Sequence, residues 1–403
     1  MTAGADNDRT TDRHGTTSPK LLPGGQDLST WVTLFYDLVF VAAILIFTKA
    51  VEHVHPQTGV LWIVGVFAAT WWVWFSSTLL MHRFHQSDLI HRLLLLFQML
   101  VIVLMAMEAR VSFDHEASLI GFEFGLLLLS IAAMYARAGY GRHAASEAGA
   151  ARQLAAVNLA AAVICLIGSL TPQPYRLIIN LVGIIIVTTG SASVWRSLSL
   201  FTTQDEEHFL ERMGAFTLIV CGEAFIETAL AVSGASIESI DVWSLMFEFV
   251  LVFALFSSYF EDVPWAGIHP NRFGGWSGLH LFAQVSIAAT AVSATKLIGD
   301  HTGEPLPDSE IIRLTIPLVA FYLALSGIDA CSRRRPYAPV LKVHAATSVL
   351  VLIVGVMAWF IPWVHLAETL PMLDVIAILH LIAIDRVRER TGVVDREELA
   401  VRT

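Results

Sequence analysis

The chain has 403 residues, 55% hydrophobic and 15% charged, with a formal net charge of −10 and a mean hydropathy of +0.64. Soluble domains carry about 25% charged residues, so this composition excludes an ordinary soluble domain and points to an all-α polytopic membrane protein. No basic patch with interleaved aromatics is present, so no nucleic-acid partner is expected. Cys165, Cys221 and Cys331 are too scattered for a disulfide framework or a thiolate metal site.

In chain order, residues 1–28 are polar and read as a disordered cytoplasmic tail without a cleavable signal pattern. Hydropathy then predicts twelve spans near 30–50, 59–81, 90–109, 118–137, 152–170, 175–196, 209–233, 239–260, 276–298, 309–331, 340–361 and 366–386, before a C-terminal tail at 387–403. With a cytoplasmic N-terminus, 20 Lys/Arg fall inside and 5 outside, together the 25 of the chain. That bias predicts both termini on the cytoplasmic side.

The two halves, 29–205 and 206–386, share landmarks. Phe35-Tyr36-Asp37-Leu38 recurs as Phe209-Leu210-Glu211-Arg212, Phe75-Ser76-Ser77 as Phe256-Ser257-Ser258, and Gln98 as Gln284, at offsets of 174, 181 and 186. The drift is what loop insertions produce. Six spans per repeat is even, so the repeats are expected to be parallel, related by an axis along the membrane normal.

The stretch Leu34-Phe35-Tyr36-Asp37-Leu38-Val39-Phe40-Val41 resembles a signature of the bacterial low-temperature-requirement A family. So do His208-x-x-Glu211-Arg212-x-Gly214 leading to Gly222-Glu223-Ala224, the segment His82-Arg83-Phe84 through Asp88 to Leu93, and Gly278-Leu279-His280-Leu281. After span 2 this chain departs from the family's Asp- and Asn-rich pattern, with His82, His85, Gln86 and Ser87 there. The resemblance implies a multi-pass bacterial membrane protein linked by name to growth in the cold.

The polar residues inside apolar runs are the candidate site. Asp37 lies two turns into span 1, with Arg83, Arg92 or Arg212 as its expected partners. Glu211 starts span 7, where the helix macrodipole favours an acidic group. Glu223 near mid-membrane and Glu227 one turn on share a helix face, and Glu248 is expected near the middle of span 8. A charged group in hydrocarbon costs about 2.5–3.5 kcal/mol on insertion scales. Three carboxylates without nearby Lys or Arg cannot all stay ionised there, so some are expected to carry protons. Protonated carboxyls making inter-helix hydrogen bonds are the plainer alternative. His280 and Gln284 share a face of span 9 and suit a structural hydrogen bond or a substrate contact.

His82, Arg83, His85, Asp88 and His91 at the end of span 2, with Glu261 and Asp262 at the end of span 8, form a polar cytoplasmic rim. Three-residue spacing drifts around a helix, so one metal would not reach His82, His85, Asp88 and His91 from one straight helix. No metal and no cofactor is expected. Trp71, Trp72 and Trp74 read as interface belt and packing, Asp329 as a cytoplasmic anchor, and Asp374 and His380 as lying off one common face. No nucleophile elbow, phosphate loop or dinucleotide fingerprint occurs. The leading expectation is proton-coupled transport of a small solute or ion, with the lipid bilayer as the other partner. The rivals are a membrane-embedded enzyme acting on a lipid or lipid-linked substrate at the rim, and a non-catalytic cold- or envelope-stress factor.

Overall fold

The computed structural model describes residues 28–52, 58–84, 88–111, 119–141, 145–197, 203–232, 242–263, 267–300, 308–332, 338–361 and 366–391. The expected N-terminal tail, His85 and most of the C-terminal tail lie outside these residues. Twelve helices follow in order: α1 Leu28–Glu52, α2 Thr58–Phe84, α3 Leu89–Val111, α4 Ile120–Gly139, α5 Ala145–Ser169, α6 Tyr175–Ser197, α7 Thr203–Val232, α8 Val242–Asp262, α9 Phe273–Asp300, α10 Asp308–Cys331, α11 Ala338–Phe360 and α12 Leu366–Thr391. Ten of them, α2 to α11, are long and apolar enough to cross a membrane. The apolar run of α1, Val32–Phe47, is shorter, and α12 is the least apolar helix. The chain is thus an all-α polytopic membrane protein.

Two boundaries differ from the sequence expectation. Helix α7 begins at Thr203, so a division at 205/206 falls inside it, and α12 continues past 386 to Thr391. Pro371 lies inside α12, in its second turn, and the helix continues through it.

The helices are apolar on both sides, as elements flanked by lipid and protein must be. On α3, Leu95, Gln98, Ile102, Met105 and Ala109 are buried at three- and four-residue spacing, while Leu93, Leu96, Leu100, Leu104 and Met107 face outward. Inside, Trp71 stacks on Phe75 at 4.9 Å, and Phe75 meets Phe209 of α7, Phe273 of α9 and Trp195 of α6 edge-on or tilted within 6 Å. In chain order α1 packs on α3, α3 on α4, α4 on α5 and α5 on α6; α7 packs on α9, α9 on α10, α10 on α11 and α11 on α12. The halves meet along α1 and α7. They diverge at one helix: α2 packs mainly on α4, whereas α8 packs mainly on α12.

Small residues set the closest approaches, since apolar helices in lipid associate through tight van der Waals contact. A Cβ at Gly125 of α4 would sit 2.9 Å from Leu166 Cγ and 3.2 Å from the Ala162 carbonyl of α5. A Cβ at Gly183 of α6 would sit 2.5 Å from the Cys165 sulfur. Gly125→Leu should therefore destabilise the bundle by about 1–3 kcal/mol through overpacking. Gly149→Ala on α5, where nothing lies within 4 Å, should be neutral or slightly stabilising. Thermal unfolding of both variants in detergent micelles checks the pair.

Candidate functional site

Depth along the helices organises the polar groups. Asp37 lies nine residues after Leu28, and Arg212 nine residues after Thr203. Each is about 14 Å along its helix at 1.5 Å per residue. Both helices start on one face of the bundle, called the near face below. Asp37 is buried, and its Oδ1 accepts hydrogen bonds from Trp74 Nε1 of α2 at 2.8 Å and Arg212 Nη2 of α7 at 2.7 Å. Of the three cations considered for Asp37, Arg212 is thus its partner. Arg83 instead reaches Glu147 of α5 at 2.7 Å. The residue that sequence similarity aligns with Asp37, Glu211, is exposed.

Two glutamines tie the interior together at similar depth. In the first half, Gln98 Oε1 accepts from Tyr36 at 2.7 Å and Ser77 at 3.0 Å, and its amide donates to Ser130 at 2.8 Å, linking α1, α2, α3 and α4. Gln284, its counterpart by sequence, makes a different set. Its Oε1 accepts from Trp71 Nε1 at 2.6 Å and its amide donates to Thr217 at 2.9 Å, joining α9 to α2 and α7 across the halves. Trp71 and Trp74 are therefore not belt residues. Both are buried, and each indole N–H is spent on a polar partner. His280, one turn before Gln284, is fully buried. Its Nδ1 lies 2.9 Å from the Trp276 carbonyl, which can only accept, so Nδ1 carries the hydrogen. Its Nε2 has no hydrogen-bond partner among the described residues, and the ring stands edge-on to Tyr259 at 5.8 Å.

Glu223 and Glu227 are both buried within the bundle, 1% and 4% exposed. Glu248 is also buried, but not at mid-span. It lies only six residues after Val242, the start of α8 at the far face. Its Oε1 accepts from Thr228 of α7 at 2.8 Å and Thr295 of α9 at 2.6 Å. Its Oε2 is buried with no hydrogen-bond partner among the described residues. Glu248 thus joins α7, α8 and α9 one residue beyond Glu227. Neither threonine stands out in the sequence, since a Thr in an apolar helix usually bonds its own backbone.

Thr228 does that as well, at 2.8 Å from the Ala224 carbonyl. A hydroxyl has one hydrogen, so Thr228 serves either Ala224 or Glu248 at a time. With Glu248 ionised, Thr228 and Thr295 both donate to Oε1. With Oε1 protonated, the carboxyl donates to Thr228, whose own hydrogen turns to the Ala224 carbonyl, while Thr295 still donates to Oε1. At Oε1 both protonation states keep their partners with the same heavy-atom positions, and only hydrogens move.

At the near-face rim the described residues split into separate pairs. Asp88, just before α3, takes Arg137 of α4 at 2.5 Å and the backbone N–H of His91 at 3.2 Å. Glu261 lies by α12, where Arg388 donates to its backbone carbonyl and Asp385 is close enough to act on it electrostatically. His82 packs beside Phe209, and His91 is buried. The side chain of Asp262, like all of His85, lies outside the described residues. Among the described residues, no group of three or more His, Cys, Asp or Glu is arranged to hold a metal ion. Burial pushes the Asp88 carboxyl up, but the Arg137 and His91 hydrogen bonds and charges outweigh it and hold it below the usual carboxylate range.

The family model of the bacterial low temperature requirement A protein (LtrA) matches residues 29–384 of this chain. A Rhizobium meliloti (strain 1021) protein, titled uncharacterized protein RA0937, is 23% identical over 247 residues. The match covers 59% of this chain and 59% of that protein.

Two measurements bear on these pairs. Asp37→Ala and Arg212→Ala should each cost about 3 kcal/mol, because each leaves a buried charge alone. The double variant should cost less than the two together, and a double-mutant cycle by chemical unfolding in micelles checks this. Asp88–Arg137 is half-exposed, so Arg137→Ala should cost about 0.2–1 kcal/mol. A depressed carboxyl stabilises above its unfolded pKa, and that contribution fades as pH falls through the folded value. The Arg137→Ala penalty in thermal shift should therefore be present at neutral pH and vanish in acid.

Proposed function

The chain belongs to the bacterial low temperature requirement A family, and from that premise we propose that it transports a small solute or ion across the bacterial inner membrane, coupled to protons by carboxyls buried in its second half. The observation that carries this reading is the Glu248 site. A buried carboxyl whose Oε1 keeps both threonine partners in either protonation state gains and loses a proton without breaking the helix contacts around it. Glu223 lies nine residues from the far-face end of α7, and Glu227 and Glu248 lie nearer that face, five and six residues from the ends of their helices. Intramembrane ionisable groups of this kind serve as proton relays in pumps and transporters. The near-face rim favours transport over a rim enzyme, because the Glu147 and Asp88 carboxylates are spent on separate ion pairs with Arg83 and Arg137.

The proposal includes two parallel six-helix repeats meeting at α1 and α7. The repeated neighbour order and the equal depths of Asp37 and Arg212 support it. It also includes cytoplasmic termini, supported by the bias of 20 inside to 5 outside among the 25 Lys/Arg. The near face is then cytoplasmic and Glu248 opens toward the outside. Reporter fusions at residue 403 and in the 299–308 loop should report opposite sides, with the loop outside. A cytoplasmic loop reverses the orientation.

The functional test is uptake into proteoliposomes under an imposed proton gradient, with a panel of labelled amino acids, sugars, organic acids and inorganic cations. Glu248→Gln keeps an acceptor for both threonines, so the protein should fold normally while gradient-driven uptake is lost. Glu248→Leu should instead lower stability by about 1–3 kcal/mol, since it takes the carboxylate acceptor from Thr295 while Thr228 turns to the Ala224 carbonyl. Gradient-driven uptake that survives Glu248→Gln and the Glu223→Gln/Glu227→Gln pair contradicts the proposal.

A further inference from the structure

A second buried titratable cluster lies outside the site above, between α10, α11 and α12. His344 Nε2 is 3.3 Å from Asp329 Oδ2. The rings of His344 and His380 are 5.1 Å apart, and Tyr322 stands 4.6 Å from His380 on its other flank. Both histidines are almost fully buried, while Asp329 keeps 14% of its side chain exposed. Asp329 is two residues from the near-face end of α10, so the cluster reaches the aqueous boundary through that carboxylate.

The hydrogen bonds leave one ring nitrogen of His380 bare. Thr347 Oγ1 lies 2.9 Å from His380 Nδ1 and donates its one hydrogen to the Val343 carbonyl at 2.9 Å. With Thr347 donating to that carbonyl, its hydroxyl accepts from His380 Nδ1, which then carries the hydrogen. His380 Nε2 is buried with no hydrogen-bond partner among the described residues. Such a group is an exception that calls for an explanation.

We propose that His344, His380 and Asp329 form a second proton-binding site, separate from Glu248, that takes one proton from the near-face water. The proton passes from Asp329 to the imidazole beside it, leaving a carboxylate next to an imidazolium, and the adjacent His380 ring shares the charge. Two imidazolium rings this close repel, so the pair holds one proton rather than two. The charges facing the site are Asp329 and Tyr322 of α10, His344 of α11, and Asp374 and Arg388 of α12. Asp374 is buried, with neither carboxyl oxygen hydrogen-bonded among the described residues, and acts electrostatically on Tyr322. This inference does not depend on the transport reading.

The test is a pH titration, from about pH 8 to about pH 5, of 15N-histidine-labelled full-length protein in phospholipid nanodiscs. NMR signals are assigned by comparison with His344→Gln and His380→Gln. At the alkaline end His380 should show the Nδ1–H tautomer. On acidification the two rings should move together, with one proton taken up by the pair. Asp329→Asn should weaken that uptake about tenfold, moving it to lower pH. Glu248→Gln should leave it unchanged. The proposal is overturned by an Nε2–H tautomer at His380, by both rings staying neutral throughout, or by identical titration in wild type and Asp329→Asn. Loss of the titration in Glu248→Gln would overturn the separateness of the two sites.

Discussion

Asp37 and Arg212 meet inside a bundle surrounded by hydrocarbon, where neither charge is tolerable alone. Their contact sets the register of α1 against α7. With each residue nine positions into its helix, the two helices must cross at equal depth for guanidinium and carboxylate to touch. Trp74 brings α2 to the same oxygen, and Trp71, one turn away, carries the connection through Gln284 to Thr217. The aromatic cluster of Trp71, Phe75, Phe209 and Trp276 fills the space between these polar ties. A slip of α7 by one turn would strand the ion pair and the Gln284–Thr217 bond together. Polar bonds are few in this interior, but each specifies an alignment that apolar packing alone would leave degenerate.

The buried polar groups fall into two physical kinds. At Gln98, both ends of the amide are engaged by three neighbouring helices, and such a knot fixes structure. Glu248, His280 and His380 keep spare capacity, with one buried atom of each lacking a hydrogen bond among the described residues. Unsatisfied buried atoms are costly, so their persistence marks places where a proton or ligand can complete the bonding. The two proposed proton sites lie toward opposite faces, Glu248 near the start of α8 and His344 and His380 toward the Asp329 rim. The divergence of the halves follows the same division. Helix α8, which carries Glu248, leans on α12, which carries His380.

Much of the fold was legible from hydropathy. Apolar runs separated by charged loops gave the twelve helices within a few residues, because a bilayer-spanning helix must be long, apolar and internally bonded. The inward orientation of Glu223 and Glu227 was legible from cost alone. Partner choice was not. Asp37 is 175 residues from Arg212, and Trp71 is 213 from Gln284. Helical spacing reveals which face a residue occupies, not which distant helix that face meets. Trp71 and Trp74 looked like interface residues because tryptophan is common there, yet both sit in the core with their N–H groups engaged. Glu248 was placed at mid-span because the run from 239 is apolar, whereas α8 starts at Val242. Asp329 and His380 looked unrelated, and His344 unremarkable, because three separate helices are needed to bring them together.

The central claim is that Glu248 changes its protonation within an intact bundle, using Thr228 and Thr295 as exchangeable partners. Infrared difference spectroscopy of the protein in lipid, between acid and alkaline buffer and repeated in D2O, reads protonated carboxyl groups directly. The account predicts a carboxylic-acid band that disappears on alkalinisation, shifts in D2O, and is missing from Glu248→Gln while the amide bands stay unchanged. A spectrum without that band, or one in which Glu248→Gln retains it in full, contradicts the account.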